Sequence, residues 1–245
     1  MKSARLCLLL LAVAVSARAD FSCTTEWKSN GKTDATIKQY LKGQRMMTDM
    51  GARVTILDFD AKTRTTIDKT MKTYSVRPLS QTELFRDTAG QAQFKAKETG
   101  QHKTINGLNA SQMVMTMQVD MGKAGGGMKT EMEVEVWYSA EIPGAKEVHD
   151  FYRRNWDLFP WAAEPGSGRS GFGKTMSDLQ KQMAAMNGYP VLYIIHMKVS
   201  GGDPRVAAAM MAGFNDTTVE TGSFSTATIP DSVFAIPAGY TKVER

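Results

Sequence analysis

Residues 108–139 read Leu108-Asn109-Ala110-Ser111-Gln112-Met113-Val114-Met115-Thr116-Met117-Gln118-Val119-Asp120-Met121, then a glycine-rich break, then Met128-Lys129-Thr130-Glu131-Met132-Glu133-Val134-Glu135-Val136-Trp137-Tyr138-Ser139. Side chains along a β-strand alternate between its two faces. In the first segment Met113, Met115, Met117, Val119 and Met121 therefore share one face, and Gln112, Val114, Thr116, Gln118 and Asp120 the other. In the second, Met128, Thr130, Met132, Val134, Val136 and Tyr138 oppose Lys129, Glu131, Glu133 and Glu135. With Gly125-Gly126-Gly127 in the loop, the pattern predicts a long antiparallel hairpin. One of its faces is apolar and rich in methionine, and the other is charged and wetted.

Working outward, Asn106-Gly107 is a tight-turn signal leading into this hairpin, preceded by strands at Gln93–Thr99 and His102–Asn106. Farther upstream the segments 21–28, 35–42, 44–50, Arg53–Phe59, Arg64–Thr70 and Thr73–Arg77 are rich in threonine and β-branched residues, and their turn spacing suits a meander. Ser80-Gln81-Thr82-Glu83 is a capping box predicting a short helix to about Thr88. Downstream, Ile142-Pro143-Gly144 ends the hairpin. Val148, Phe151, Tyr152 and Trp156 then form one apolar stripe of a helix to about Leu158, on which His149 is expected to be exposed. A glycine loop over 159–173 leads to a second helix, about 176–186, with Met176, Leu179, Met183 and Met186 on one face. Val191–Ser200 reads as a buried strand, Val206–Ala212 as a short helix or apolar loop, and Thr217–Ile229 and Val233–Lys242 as closing strands.

Residues 1–19 read as a leader. Lys2 and Arg5 precede the apolar run Leu6–Val15, and Ala17-Arg18-Ala19 is an A-x-A cleavage pattern. The run is shorter than the roughly 20 residues of a membrane-spanning helix. The expected product is one domain, 20–245, exported to the periplasm or beyond and without a transmembrane segment. Cys7 leaves with the leader, so Cys23 has no partner for an intrachain disulfide and is expected to be a buried strand residue. A lipid-anchored cysteine would follow small apolar residues, whereas Asp20-Phe21-Ser22 stand before this one. The formal net charge of +5 falls to +2 without the leader, as 27 of the 30 Lys and Arg remain against 25 acidic residues. No basic cluster interleaved with aromatics points to nucleic acid.

Gly168-Arg169-Ser170-Gly171-Phe172-Gly173-Lys174-Thr175 matches the phosphate-loop spacing literally. A phosphate loop follows a buried hydrophobic strand, and Asp157-Leu158-Phe159-Pro160-Trp161 is no such strand, so we read a glycine loop between helices. The same setting argues against the overlapping dinucleotide pattern at Gly166–Gly171. Met113-x-Met115-x-Met117 and Met183-x-x-Met186 suit a soft ion such as Cu(I) in donor type, but His102, His149 and His196 add no spacing typical of such a site. Catalytic signatures are missing: there is no G-x-S-x-G, no H-E-x-x-H and no zinc-type Cys/His spacing. Glu131, Glu133 and Glu135 read as a solvated face paired with a neighbouring strand.

The order of elements, with Ile105-Asn106-Gly107, Glu135-x-Trp137 leading to Ile142-Pro143-Gly144, and the terminal Phe234-Ala235-Ile236-Pro237-Ala238-Gly239-Tyr240, resembles a family of exported bacterial proteins related to the outer-membrane lipoprotein carriers and receptors (LolA/LolB-like). The resemblance spans nearly all of 20–245. It implies an α+β, mainly β fold: a strongly curved antiparallel sheet, an incomplete barrel, with helices covering its open concave side. In the carriers that face receives acyl chains. The function expected here is accordingly non-enzymatic and cofactor-free, the binding of a hydrophobic or acylated ligand. Met113, Met115, Met117, Met121, Met132, Val134 and Val136 would form the sheet wall, Met176, Leu179 and Met183 the lid, and Trp161 and Phe172 the mouth. Peripheral membrane contact is compatible with that role. Cu(I) binding and an envelope interaction protein with a filled core are the alternatives, and the oligomeric state is left open.

Overall fold

Threonine-rich strands broken by glycine, asparagine and lysine turns fold back on one another in sequence order. A computed structural model describes residues 20–79, 91–120, 126–155, 158, 186, 188–212 and 217–244. Its elements are β1 (Phe21–Ser29), β2 (Lys32–Lys42), β3 (Arg45–Asp49), β4 (Arg53–Asp58), β5 (Thr63–Asp68), β6 (Thr73–Pro78), β7 (Gln91–Ile105), β8 (Leu108–Asp120), β9 (Lys129–Ser139), helix α1 (Ala145–Asn155), β10 (Tyr189–Ser200), helix α2 (Pro204–Ala212), β11 (Thr217–Ser225), a 3₁₀ turn (Asp231–Phe234) and the short β12 (Thr241–Lys242). The twelve strands form one sheet in the order β12-β6-β5-β4-β3-β2-β1-β11-β10-β9-β8-β7. Neighbours are antiparallel except β12, which lies parallel to β6. The sheet is curved and does not close into a barrel, and the fold is mainly β.

Cross-strand register shows which side chains share a face. Phe21, Leu41, Met46 and Leu57 lie opposite one another across β1 to β4, and all are buried. Helix α1 packs on this inner face. Val148 and Phe151 are buried among those residues, the Phe151 ring meets Phe59 edge-on at 5.5 Å, and Gln44 Nε2 donates to Asn155 Oδ1 at 3.1 Å. Gly144 allows the helix to start so close to β1. Its φ is +77°, and a Cβ there would lie 3.0 Å from Phe21 Cδ2 and from Thr226 Cγ2. His149 is half-buried, not exposed as its charged neighbours on the helix suggested.

The reverse of the same strands is covered by the C-terminal tail. Val54, Ile56 and Ile67 form a second cluster with Ile229 and Phe234, against which Val233 and Tyr240 pack. The strand expected over Val233–Lys242 is therefore a 3₁₀ turn and a two-residue strand. Pro230 and Pro237 lack the N–H that a ladder needs, and burial of Ile229 and Phe234 holds the tail in place of pairing. The strand from Thr217 ends at Ser225, short of Ile229. The two strands expected before the Asn106-Gly107 turn are one, β7, whose register slips between Glu98 and His102. Asn106 and Gly107 take φ of 50° and 79°, the left-handed pair required by a two-residue hairpin of primed type. Val206–Ala212 is helical, as part of α2. The predicted helix at 80–88, the glycine loop 159–173 and the helix 176–186 lie outside the described residues, apart from Met186.

Candidate functional site

The β8–β9 hairpin pairs as its alternation requires. Met113 faces Val136, Met115 faces Val134, Met117 faces Met132 and Val119 faces Thr130. Strand β10 continues each row, with Tyr193 beside Val136, Ile195 beside Val134 and Met197 beside Met132. Strand β11 extends two of them, with Val219 beside Tyr193 and Thr217 beside Ile195. Val219 in turn faces Trp27 of β1, on the same side as Phe21 and Cys23. The methionine face is thus the continuation of the inner face on which α1 sits.

Burial grades along these rows. Met113 is 2 % exposed and Val136 0 %. With Val134, Tyr138 and Met186 they form a buried cluster, and Ala96, Met115, Met132, Tyr193 and Ile195 pack against it half-buried. Met117 and Met197, one row further from α1, are half-buried as well. Of the residues expected to line the site, Met113, Met115, Met132, Val134 and Val136 are brought together, and Met117 joins them through its row with Met132. Met121, Trp161, Phe172, Met176, Leu179 and Met183 lie outside the described residues. Tyr193 and Ile195 were missed. The signal for them was the run Val191–Ser200, apolar on both faces near its centre.

Toward α1 the inner face turns polar without becoming charged. The Cys23 thiol lies 3.7 Å from Tyr189 Oη and 3.8 Å from Gln39 Oε1. Tyr189 Oη donates to Gln39 Oε1 at 3.1 Å, and Gln39 Nε2 donates to Tyr152 Oη at 2.8 Å and to Met46 Sδ at 3.1 Å. Burial pushes the Cys23 thiol up to about 11, slightly offset by its bond to Tyr189. Burial likewise lifts Tyr152 to about 12 and raises Tyr189 and Tyr193. These groups are neutral at physiological pH, and a thiol held neutral is a weak nucleophile. Within the methionine rows, Thr217 Oγ1 is buried and has no hydrogen-bond partner. Among the described residues, no group of three His, Cys, Asp or Glu side chains is placed to hold a metal.

The opposite face of the hairpin is polar and internally paired, and it is buried only at its Gln112–Trp137 end. Gln112 Nε2 donates to Glu135 Oε2 at 2.8 Å and Gln118 Nε2 to Glu131 Oε2 at 2.6 Å. Lys198 Nζ stands 3.8 Å from Glu131, and His196 Nε2 3.6 Å from Glu135. Glu131, Glu133, His196 and Lys198 line only a shallow depression of about 280 Å³. Glu131 and Glu135, each paired, and the exposed Glu133 between them form the polar ladder that the alternation predicted. Among the described residues, no helix is long and apolar enough to cross a membrane.

Fold and site together define a mainly β protein whose open curved sheet carries an apolar, methionine-rich inner face beside a helix. No protein-family model matches the chain, and no curated protein does. Among solved structures it is similar to PNGF-II in P21 and C2 space groups, at 12 % and 11 % identity and TM-scores of 0.39 and 0.38. The likeness covers 92 % and 93 % of this chain but 31 % of each PNGF-II chain, so this chain spans less than a third of their length.

Proposed function

We propose that this chain is an exported, non-enzymatic protein that holds a hydrophobic or acylated ligand, a lipid or a lipoprotein-like acyl chain, against its inner face. The observation that carries the reading is the graded burial of one continuous apolar surface. Met113, Val134 and Val136 are sealed in the core, while Met115 and Ile195 on either side of Val134, and the next row Met117–Met132–Met197, continue the surface half-buried. Methionine is unbranched and polarizable, so such a wall adapts to chains of different shape. Binding there would rest on removal of apolar area from water, with no bond made or broken. The leader-like residues 1–19 and the resemblance to lipoprotein carriers support export and an acylated cargo. In this reading Met121, Met176, Leu179 and Met183 complete the enclosure, with Trp161 and Phe172 at its mouth.

Native mass spectrometry, solvent extraction of the purified protein and titration with a fluorescent fatty acid test the proposal. Co-purifying lipid or saturable uptake of the probe is expected, and Met115→Glu should abolish it. A ligand-free chain that leaves the probe unshifted would sink the idea. A second reading is favoured by one row, Met117–Met132–Met197, in which three thioethers occupy adjacent strands. Such donors suit Cu(I). Anaerobic Cu(I) titration of the wild type and of Met132→Leu separates the two readings, because the leucine variant keeps the apolar wall and loses the central sulfur.

A further inference from the structure

We propose that Arg64 and Arg77, side by side on the inner face of the meander, bind a phosphate group. Register fixes their place. The buried row Phe21–Leu41–Met46–Leu57 continues into β5 and β6, where Leu57 faces Arg64 and Arg64 faces Arg77. The tail covers the reverse of these strands at Val54, Ile56 and Ile67, so both arginines stand on the side that carries α1. One row along, Gln39, Thr48, Thr55, Thr66 and Ser75 face one another in turn. In the other direction Phe59 and Leu79 are buried in the cluster that includes Phe151. The two arginines therefore lie where an apolar floor meets a row of hydroxyls.

Their charge is not neutralised by the protein. Among the described residues neither guanidinium has a hydrogen bond or an ion pair, and the hydroxyls of Thr48, Thr55, Thr66 and Ser75 are likewise uncommitted. The inner positions of β4, β5 and β6 carry Arg53, Arg64 and Arg77 against one acid, Asp68, which lies two rows away and faces Arg53. The other acids nearby are turned away or engaged. Asp58 lies on the reverse face opposite Arg45, where its Oδ1 accepts the Ala61 N–H at 2.8 Å. On α1, Asp150 is paired with Lys146 and Arg153. Asp60 is exposed in the turn between β4 and β5. An excess of two positive charges thus remains at the pair.

Residues directly opposite in an antiparallel pair have Cβ atoms about 5 Å apart, and like charges so placed repel. Both arginines are half-buried, where water and salt screen the repulsion less. Covering Leu57 and Phe59 would need only aliphatic stems and leaves the two charged heads unaccounted for. An oxyanion between them turns repulsion into two sets of charge-assisted hydrogen bonds. Guanidinium forks take phosphate bidentately, a phosphate dianion matches the excess of two charges, and the hydroxyls of Thr66 and Ser75 add donors one row along. Assigning that phosphate to the head of an acylated ligand rests on the reading under Proposed function; the anion site itself does not.

Calorimetric titration of the purified protein, in buffer free of phosphate and sulfate, tests the site. The probes are inorganic phosphate and, separately, dihexanoyl phosphatidic acid below its micelle concentration. One-site binding is expected, and R64Q/R77Q should weaken it at least about tenfold, the loss of one charged hydrogen bond being worth about that much. Equal affinities for the two probes would assign a free phosphate or soluble ester as the source, and tighter binding of the lipid would assign a headgroup. R64K/R77K keeps the charges and the covering stems but loses the forks, so it should fold normally and bind several-fold more weakly than the wild type. Thermal unfolding separates binding from a structural role. Without phosphate R64Q/R77Q should melt no lower than the wild type, because a like-charge pair is removed, and phosphate should raise the midpoint of the wild type alone. A wild type that binds neither probe, or an R64Q/R77Q variant that binds as tightly, would overturn the site. Fatty-acid uptake without phosphate binding overturns this site alone, and phosphate binding without uptake overturns the ligand reading alone.

Discussion

The Cys23 thiol and the Tyr189 hydroxyl lie 3.7 Å apart although 166 residues separate them in the chain. They join the first strand to the start of β10 beneath α1, and Gln39 bridges from them to Tyr152 on the helix itself. A buried polar cluster contributes to specificity only when its members satisfy one another, and here a single glutamine does so with both its amide and its carbonyl group.

The first prediction follows from the neutrality of that cluster. The thiol rises from an ordinary 9.0 to about 11 in the folded chain, chiefly through burial. Between those values the unfolded chain has released the proton and the folded chain still holds it, so stability falls as pH rises from about 9 to about 11, by at most about 1.4 kcal/mol per pH unit. Tyr152, lifted to about 12, extends the loss to higher pH. Thermal unfolding from pH 7 to 10.5 should show a midpoint that is flat below pH 9 and declines above it. In Cys23→Ala the decline should be shallower. Reaction with a disulfide reagent at pH 8 should be slow in the native protein and fast in urea.

The second prediction separates wall from core. Met113 is sealed, so Met113→Ala should cost about 2–5 kcal/mol, transfer and cavity terms together. Met117→Ala, at a half-buried position, should cost about 1 kcal/mol or less on the same area argument. Urea unfolding measures both. Equal, large costs would mean that the outer methionine row is filled core.

The hairpin was legible because alternation over two long segments leaves little freedom. A register slip by one residue would put Glu131, Glu133 and Glu135 into the apolar face, and only the observed pairing avoids that. Buried Cys23 was legible from its place in a strand with no partner cysteine. The continuity of β7 was not, because Thr99-Gly100-Gln101 has the composition of a turn. In the structure the slip in register absorbs it, with Gly100 at a φ of 74° and Thr99 Oγ1 donating to Gln112 Oε1 at 2.7 Å. The tail was misread because Val233–Lys242 has strand composition, whereas its conformation depends on a hydrophobic surface built nearly two hundred residues earlier. The Cys23–Tyr189–Gln39–Tyr152 cluster was invisible for the same reason: its members come from four elements, and no local spacing links them.

The third prediction concerns Thr217, which is 3 % exposed. Its hydroxyl is desolvated and unpaired, and its row neighbour on β10 is Ile195. An unsatisfied buried hydroxyl costs roughly 1–3 kcal/mol. Thr217→Val keeps the β-branched shape and removes the polar atom, so it should stabilise the protein by about 1 kcal/mol in urea unfolding. A destabilised variant would show that the hydroxyl meets a partner in solution.

The last prediction concerns the tail. Arg45 Nη2 bonds Asp231 Oδ1 at 2.6 Å while its guanidinium carbon lies 4.6 Å from the centre of the Phe234 ring, so one side chain clasps both ends of the 3₁₀ turn. Lys42 Nζ adds a bond to Ile229 O at 2.6 Å and an ion pair with Asp231 at 3.3 Å. Arg45, then Lys42, hold the Asp231 carboxyl below its ordinary 3.8. A depressed carboxyl stabilises the tail above its unfolded value, and that contribution fades as pH falls through the folded value. Because Asp231 is exposed to water, the apolar anchors Ile229 and Phe234 should carry most of the attachment. Arg45→Ala at neutral pH should therefore speed hydrogen exchange at the Val233 and Ala235 amides, which bond Pro230 O and Ser232 O, without melting the sheet. Phe234→Ala should release the tail outright, exposing Val54, Ile56 and Ile67 to a hydrophobic dye and the 226–240 segment to protease. If Phe234→Ala leaves exchange and proteolysis unchanged, the tail is held by its charges and by the β12–β6 pairing rather than by burial.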